Sequence, residues 1–313
     1  MTSEKNAILC VGLVCVDSIL VVETYPAEDT GQRCVESKWQ RGGNASTTAT
    51  VLSMLGEDAE FMGTITDRAE QRFLMEDFKT NCVDTKNVIV CEGSGCPTAT
   101  VIINKQTGSR TILNSRNGLR EMSYADFLSV NLDLYKWIHF ETRPNCPDVM
   151  TMLSRVLDHN ARVEDKIVTS VEFENPHRPH HDVLFNMADY MFVSKEFAQH
   201  YGYTNMEEAV EGLTHTCQPR IAIICAWGEC GAAGKQSTSE TVTSPALKLD
   251  HVVDTLGAGD TFIAGTLHAL AKGRCLKSAI AFGCKLSGFK CGMRGLKGIE
   301  HLKNSSPVLS ILK

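Results

Sequence analysis

Residues 254–260 read DTLGAGD and lead directly into the apolar-periodic run TFIAGTLHALAKG. The glycines at 257 and 259 allow a sharp turn and a close approach of the backbone to a ligand. The run that follows predicts a helix over residues 260–271, whose first turn would offer free N–H groups and the positive end of the helix dipole. A glycine turn that opens a helix in this way is typical of anion sites in α/β proteins.

Asp260 would lie in the first turn of that helix, beside the bound anion. The amides of Gly257, Ala258 and Gly259 could stabilise charge on a phosphoryl group in transfer, while the Asp260 carboxylate accepts the proton of an attacking hydroxyl. A tight strand–helix turn with Asp260 as a capping residue explains the short motif equally well.

Outside this motif, short apolar runs alternate with helical patterns. The predicted strands cover residues 8–16, 61–63, 137–140, 167–171, 190–193 and 221–226. They are continuously apolar, as in strands that are covered on both faces. The predicted helices cover residues 45–55, 148–160, 206–214, 260–271 and 276–291. This alternation predicts an α/β fold with a doubly wound, mostly parallel central sheet flanked by helices.

Two segments depart from the alternation. Residues 21–40 are mixed and strand-like without helical periodicity, and residues 98–113 place ATVIIN and RTIL on either side of a turn at 106–109. The second pattern predicts a β-hairpin. Both segments are candidates for β structure outside the main sheet.

The composition describes a globular protein of 313 residues with a net charge of −6, 43% hydrophobic and 22% charged residues. An acidic chain offers no general field for nucleic acid or anionic membranes, so we expect neither as a partner. No stretch approaches the roughly 18 apolar residues that span a bilayer. The 13 cysteines form no C-x-x-C pair and several lie inside apolar runs. We therefore expect a cytoplasmic protein without disulfides.

Four further features bear on a candidate site. Asp17 ends the first apolar run, where the carboxyl end of a buried strand would meet a ligand. The RGGNAS stretch at 41–46 is either a backbone-rich polar site or, as we favour from the motif alone, a helix N-cap after a glycine turn. Glu141 and Arg143 follow the WIHF strand and either order the site or form a surface ion pair. The histidines of NPHRPHHD, at 177, 180 and 181, lie in a proline-bearing loop, which disfavours a metal site.

The chain resembles the ribokinase-type (PfkB) carbohydrate kinases. Four segments occur in the order seen in that family: GLVCVD at 12–17, RGGNA at 41–45, CAWGECGA at 225–232 and VVDTLGAGDTF at 252–262. The match extends from about residue 8 to residue 299. Six segments are similar in sequence to the branch of the family that acts on ketohexoses: WQRGGNAS, RTI, KWIH, FVSKE, CAWGE and KCGMRGLKGI.

The resemblance implies a ribokinase-like fold in one domain over residues 1–313, with a projecting β-sheet lid from about 18–42 and 97–118. It implies ATP-dependent phosphorylation of a ketose, D-fructose first. Another acceptor (ribose, a nucleoside or a different ketose) and a catalytically weak sugar-binding protein stay open as alternatives. It also implies Mg²⁺ with the ATP, K⁺ as a supporting cation, and a homodimer formed through the lid.

The resemblance also implies roles for individual residues. Asp260 would be the catalytic base, and Gly257, Ala258 and Gly259 would form the anion hole for the γ-phosphate. The implied acceptor site comprises Asp17, Gly43, Asn44, Thr47 and Asp260, with Asp29 reaching in from the lid of a partner subunit. The implied nucleotide site comprises Arg110, Ala226, Trp227, Gly228, Glu229, Gly257, Gly259, Pro245 and Cys284. No residue would bind Mg²⁺ directly, and Glu196 would approach it through water.

Three positions depart from the ketohexose branch of the family. Thr47 stands where that branch usually carries Asn, so one hydroxyl replaces the paired donor and acceptor of an amide. Ser109 replaces the Asn that usually precedes the lid arginine, and Ile263 replaces a residue that is often polar. These changes leave phosphoryl transfer in place and bear on which sugar is preferred.

Overall fold

The computed structural model describes residues 6–237 and 239–300. The tail from Lys303, which the sequence predicts to be loosely attached, lies outside the described residues. The strands in chain order are β1 Ala7–Val11, β2 Cys15–Val22, β3 Glu36–Gly42, β4 Asp58–Met62, β5 Thr64–Thr66, β6 Ile89–Cys91, β7 Thr98–Asn104, β8 Arg110–Ser115, β9 Tyr135–Glu141, β10 Val168–Phe173, β11 Tyr190–Val193, β12 Ala222–Ala226, β13 Ala232–Gln236 and β14 Val242–Ser244. The helices are α1 Asn44–Met54, α2 Glu70–Thr80, α3 Tyr124–Phe127, α4 Cys146–Asn160, α5 Lys195–His200, α6 Met206–Thr216, α7 Ala258–Ala271 and α8 Leu276–Cys291.

The main sheet has eight strands in the order β14-β13-β12-β11-β10-β9-β1-β4. All neighbours from β12 to β4 pair in parallel, and only the β12–β13–β14 edge is antiparallel. Alternate residues of β1 enter two different apolar cores, with Leu9 and Val11 in one and Ile8 and Cys10 in the other. The predicted doubly wound, mostly parallel sheet with both faces covered is confirmed.

A second sheet of four strands, in the order β3-β2-β7-β8, lies apart from the main sheet. The predicted hairpin is β7 and β8, which pair antiparallel with Thr98 opposite Ser115. The segment 21–40 contributes the end of β2 and most of β3.

The prediction of one strand over residues 8–16 is wrong, because the chain leaves the main sheet after Val11. A Cβ atom at Gly12 would lie 2.5 Å from Glu141 Oε2 and 2.8 Å from the Ala45 Cβ, so the chain turns where no side chain fits. Asp17 is therefore the third residue of β2 in the second sheet, not the end of a main-sheet strand. Apolar periodicity could not show this break, because residues on both sides of it are buried.

The sequence patterns do not predict β5, β6, α3 or α5, nor do they predict α2, β13 and β14. Helix α2 carries many charges and buries only Leu74 and Phe78, so its apolar stripe is narrow. Strand β13 is rich in Ala and Gly, which have little strand preference, and the edge strand β14 has only three residues. In the described part of the chain, no helix combines the length and apolarity needed to cross a membrane.

Candidate active site

A cleft of about 1120 Å³ opens between the second sheet and the carboxyl ends of the main-sheet strands. Its walls come from β2, β7 and β8 on one side, and from the residues that end β9, β10, β11 and β12 on the other. Residues 255–260 and the first turns of α1 and α7 complete it. The cleft brings together these predicted site residues: Asp17, Gly43, Asn44, Thr47, Arg110, Glu196, Ala226, Gly257, Ala258, Gly259 and Asp260.

The remaining predicted residues do not line this cleft. Trp227 is buried, and Gly228, Glu229 and Pro245 are exposed. Cys284 is buried, and its Sγ lies 3.7 Å from the Ser244 carbonyl oxygen. Asp29 is exposed in the β2–β3 connection, with a positive φ of 60°.

Asp17 presents a buried carboxyl group to the cleft from β2. It pairs with Gln40 of β3 and Ala99 of β7, and the neighbouring Gly42 leaves room for it, because a Cβ there would overlap the carboxylate. Burial raises the pKa of Asp17 to about 6, against the opposing effects of a hydrogen bond from the Cys15 thiol and the charge of Arg41. This carboxylate can therefore change its charge near neutral pH.

The start of α1 forms the adjacent wall. Gly43 is the N-cap residue with a positive φ of 99°, and a side chain there would run into the Leu13 carbonyl. Asn44 Nδ2 donates to Glu172 Oε1 at 3.0 Å, and Thr47 is buried next to Gly257. The paired glycines and Asn44 therefore do more than begin a helix, since they shape the cleft wall.

The DTLGAGD motif forms the part of the cleft next to that wall. Helix α7 begins at Ala258, and its N-cap residue Gly257 adopts a left-handed conformation with φ of 78°. Asp254 anchors the loop before it, because its Oδ2 lies 3.0 Å from the Nζ of Lys290, whose side chain is wholly buried. Arg110 on β8 donates to Thr255 Oγ1, so the second sheet contacts the loop directly.

Asp260 lies half-buried in the first turn of α7. Loss of hydration in the cleft and the charges of Glu174, Glu141 and Asp17 raise its pKa well above that of an ordinary aspartate. A carboxylate with a raised pKa accepts a proton more readily, which is the property that a general base requires.

The acidic surroundings of Asp260 can be tested for their fit to a divalent cation. Glu172 is buried, and its Oε2 atom has no hydrogen-bond partner. Carboxylate oxygens of this kind suit Mg²⁺, which usually keeps several waters and takes the rest of its ligands from phosphates. Among residues 6–237 and 239–300, no group of three or more His, Cys, Asp or Glu side chains is placed to hold a metal ion. The unpartnered Glu172 oxygen is compatible with a Mg²⁺ ion that takes its other ligands from phosphates and water.

Sequence reasoning missed Glu172 and Glu174 as cleft residues. Both follow the predicted strand 167–171, so the rule applied to Asp17, a carboxylate at the end of a buried strand, would have found them. The surface ion pair offered as one explanation of Glu141 and Arg143 is wrong, because their side chains are only 3% and 7% exposed. His177 lines the cleft with its ring 5.2 Å from that of His200.

The chain is similar to known carbohydrate kinases along nearly its whole length. The model of the pfkB family carbohydrate kinases matches residues 5–300. The chain is 42% identical to ketohexokinase of Mus musculus, over 95% of this chain and 99% of the mouse protein. It is 25% identical to the ATP-dependent 6-phosphofructokinase of Thermoanaerobacterium thermosaccharolyticum, over 92% and 88% of the two chains.

Solved structures share the fold. Adenosine kinase from Sinorhizobium meliloti superposes with a TM-score of 0.76 at 20% identity, over 93% of this chain and 95% of that one. Ribokinase from Giardia lamblia superposes with a TM-score of 0.76 at 15% identity, over 94% and 95%. The fold of the main sheet, the cleft at its carboxyl edge and the family match across nearly the whole described chain lead to one conclusion: the chain belongs to the pfkB family of carbohydrate kinases.

Proposed function

We propose that this protein transfers the γ-phosphoryl group of ATP to the 1-hydroxyl of a ketose, with D-fructose as the preferred acceptor. The observation that carries the proposal is the identity of 42% with mouse ketohexokinase over nearly the full length of both chains. The cleft supports it, because Asp260 and the Gly257–Gly259 turn face the acceptor wall formed by Asp17 and Asn44.

In this proposal Asp17, Gly43, Asn44 and Thr47 bind the hydroxyls of the sugar. Asp260 takes the proton of the 1-hydroxyl as that oxygen attacks the γ-phosphorus in line, and the ADP oxygen leaves with the electron pair of the broken P–O bond. The amides of Gly257, Ala258 and Gly259, at the positive end of α7, bind the transferring group. Arg110, which already reaches Thr255, adds a positive charge to the same place.

The nucleotide would bind along the end of β12. We assign it to Arg110, Ala226, Trp227, Gly228, Glu229, Gly257 and Gly259, with Pro245 and Cys284 near the adenine. Mg²⁺ supplies charge neutralisation on the phosphates when it is bound, and Glu196, which lines the cleft, would approach it through water. K⁺ is proposed as a supporting cation.

We further propose one cytoplasmic domain over residues 1–313 that forms a homodimer through the second sheet, which would act as the lid from about 18–42 and 97–118. The support is apolar surface on that sheet and its connections: Val35, Trp39 and Leu113 are 50%, 56% and 58% exposed. Exposed apolar side chains on one sheet and its connections are typical of an interface. Asp29 would then reach the acceptor site of the partner subunit.

An ADP-release assay across a panel of acceptors tests the function. We expect the highest kcat/KM with D-fructose among ketoses, ribose and adenosine. The buried Ile263 and the Thr47 methyl group make part of the cleft wall apolar. For this reason the second candidate is the same reaction on another acceptor, such as ribose, a nucleoside or a different ketose. A higher kcat/KM with ribose or adenosine would replace the proposal, and sugar binding by calorimetry without ADP release would indicate a non-catalytic protein.

A further inference from the structure

Glu141, the last residue of β9, joins two segments of the cleft wall that are far apart in the sequence. Its Oε2 atom accepts the backbone N–H of Leu13 at 2.9 Å and the backbone N–H of Ala45 at 3.1 Å. Leu13 lies in the turn between β1 and β2, and Ala45 lies in the first turn of α1. One carboxylate oxygen therefore connects the strand that carries Asp17 to the helix that carries Asn44 and Thr47.

The start of α1 lacks the groups that normally satisfy it. Its N-cap residue, Gly43, has no side chain, and its first turn contains no acidic residue. The first N–H groups of a helix need acceptors and attract negative charge. Glu141 supplies both from a different element, in place of the Ser, Thr or Asp that usually caps a helix within its own sequence.

The other oxygen of Glu141 is held by a chain of buried and half-buried charges. Arg143 Nη1 lies 3.2 Å from Glu141 Oε1, and Arg143 Nη2 lies 3.2 Å from Glu121 Oε1. Arg116 Nη1 lies 3.0 Å from the same Glu121 oxygen. Since a buried carboxylate is stable only with such partners, this chain fixes both the charge and the orientation of Glu141.

Gly12 completes the arrangement, because a Cβ atom at that position would lie 2.5 Å from Glu141 Oε2. The turn can approach the carboxylate closely enough to donate the Leu13 N–H only when residue 12 has no side chain. Substitution of Gly12 thus offers a second way to disturb the contact while the carboxylate remains.

We propose that Glu141 is a positioning residue for the acceptor: it fixes the distance between Asp17 on β2 and Asn44 and Thr47 on α1 by accepting the Leu13 and Ala45 amides. This inference rests on the proposed function of the cleft. It assigns Glu141 no contact with the reacting atoms, so its loss weakens acceptor binding and leaves nucleotide binding unchanged.

The test compares Glu141→Gln, Glu141→Leu and Gly12→Ala with the wild-type protein. Glutamine keeps one oxygen that can accept both amides but turns its NH₂ group toward Arg143, whereas leucine keeps the volume and no acceptor. We expect the acceptor KM to rise about tenfold or more for E141L and G12A, as hydrogen bonds to a charged group are lost, and to rise less for E141Q than for E141L. The KM for ATP should stay within about twofold in all three. Glu76→Leu, at an exposed acid of α2, is the control and should change neither constant.

Amide hydrogen exchange of the acceptor-free protein gives a readout that does not depend on any substrate. We expect the Leu13 and Ala45 amides to exchange slowly in the wild type and in E141Q, and faster in E141L. One result would overturn the proposal and make Glu141 a direct ligand of the sugar. In that result E141L has a raised acceptor KM but unchanged amide exchange, and G12A has the acceptor KM of the wild type. A wild-type KM in E141L, or a loss of kcat alone, would overturn it too. If E141L does not fold, E141Q and G12A decide the question. Failure of the wild type to phosphorylate any ketose would refute the proposed function. The amide exchange of Leu13 and Ala45 would still test whether Glu141 holds the two segments together.

Discussion

Asn44 Nδ2 donates a hydrogen bond of 3.0 Å to Glu172 Oε1. This contact orients the amide so that its NH₂ group faces the buried carboxylate and its Oδ1 atom is left for a ligand in the cleft. Asn44 can therefore accept a hydrogen bond through Oδ1, and a hydroxyl of the bound sugar would donate it.

Replacing Asn44 with Asp should weaken acceptor binding. The substitution sets two carboxylates against each other at hydrogen-bond distance, which one of them relieves by taking up a proton or turning away. We expect the acceptor KM to rise about tenfold or more, with the ATP KM unchanged. Asn81→Asp is a matched control, because Asn81 Nδ2 also donates to a carboxylate, Asp77 Oδ1 at 3.1 Å, outside the cleft. An equal rise in both variants would contradict the role of Asn44.

Asp260→Asn should remove turnover while leaving both substrates bound. The amide cannot accept the hydroxyl proton, and positioned general bases contribute about 10²–10⁴-fold to rate. We expect kcat to fall within that range, and the dissociation constants of acceptor and nucleotide, measured by calorimetry, to change only a fewfold. Turnover above a tenth of the wild-type rate would rule out Asp260 as the base.

Acceptor binding should weaken as the pH falls below about 6. Burial raises the pKa of Asp17 from 3.8 to about 6, so its carboxylate is ionised and able to accept two hydroxyls above that pH and protonated below it. Each pH unit well below the pKa should then raise the acceptor dissociation constant by about tenfold. Calorimetry without nucleotide between pH 5 and 8 measures this. Asp17→Asn should bind weakly at all these values, and a wild-type curve that is flat from pH 8 to 5 would contradict the assignment.

Glu57 should dominate the stability of the junction between α1, β9 and α7. Its side chain is only 1% exposed, and its carboxylate lies 2.7 Å from Lys136 Nζ, 2.7 Å from His268 Nδ1 and 2.9 Å from Lys272 Nζ. Removing one member of such a buried group usually costs about 3–5 kcal/mol. We expect Glu57→Gln to lower the free energy of unfolding by about 3 kcal/mol in chemical denaturation. Glu76→Gln, in an exposed pair with Arg72, should change it by less than about 1 kcal/mol.

The same residue gives a pH dependence of known sign. Burial alone would raise the pKa of Glu57, but hydrogen bonds from His268, Lys136 and Lys272 hold it well below its ordinary value of 4.5. A lowered carboxyl pKa stabilises the folded state above the unfolded value and loses that contribution as the pH falls below it. Wild-type stability should therefore drop below about pH 4.5 more steeply than that of E57Q. Parallel curves for the two proteins would contradict this account.

The sequence was most informative where local pattern and tertiary structure agree. The continuous apolar runs at 137–140, 190–193 and 221–226 are strands of the main sheet, and the glycine turn at 257–259 begins α7 as predicted. The hairpin at 98–113 was also predictable, since its turn residues interrupt two strongly strand-forming runs.

What the sequence could not show depends on contacts between distant segments. The break at Gly12 is set by Glu141 and Ala45, which lie far along the chain, so the run ILCVGLVCVD gives no local sign of it. Likewise, Glu141 and Arg143 in isolation are equally consistent with the surface and the interior. In the structure Glu141 contacts the turn and α1, Arg143 contacts Glu141 and Glu121, and both side chains are buried.

The pairing of β2 with β7 also has a consequence for synthesis of the chain. Asp17 emerges early, but its strand lies between Gln40 and Ala99, and the loop and helix that face it across the cleft, at 254–271, are translated near the end. Non-local strand pairing of this kind forms slowly, because the intervening chain must first be brought together. The last strand partner of the β1–β2 region, β9, is complete only at residue 141, so a nascent chain carries this apolar region without all its partners until then. A message truncated before residue 254 would yield a product that holds the β2 wall of the cleft and none of the DTLGAGD motif.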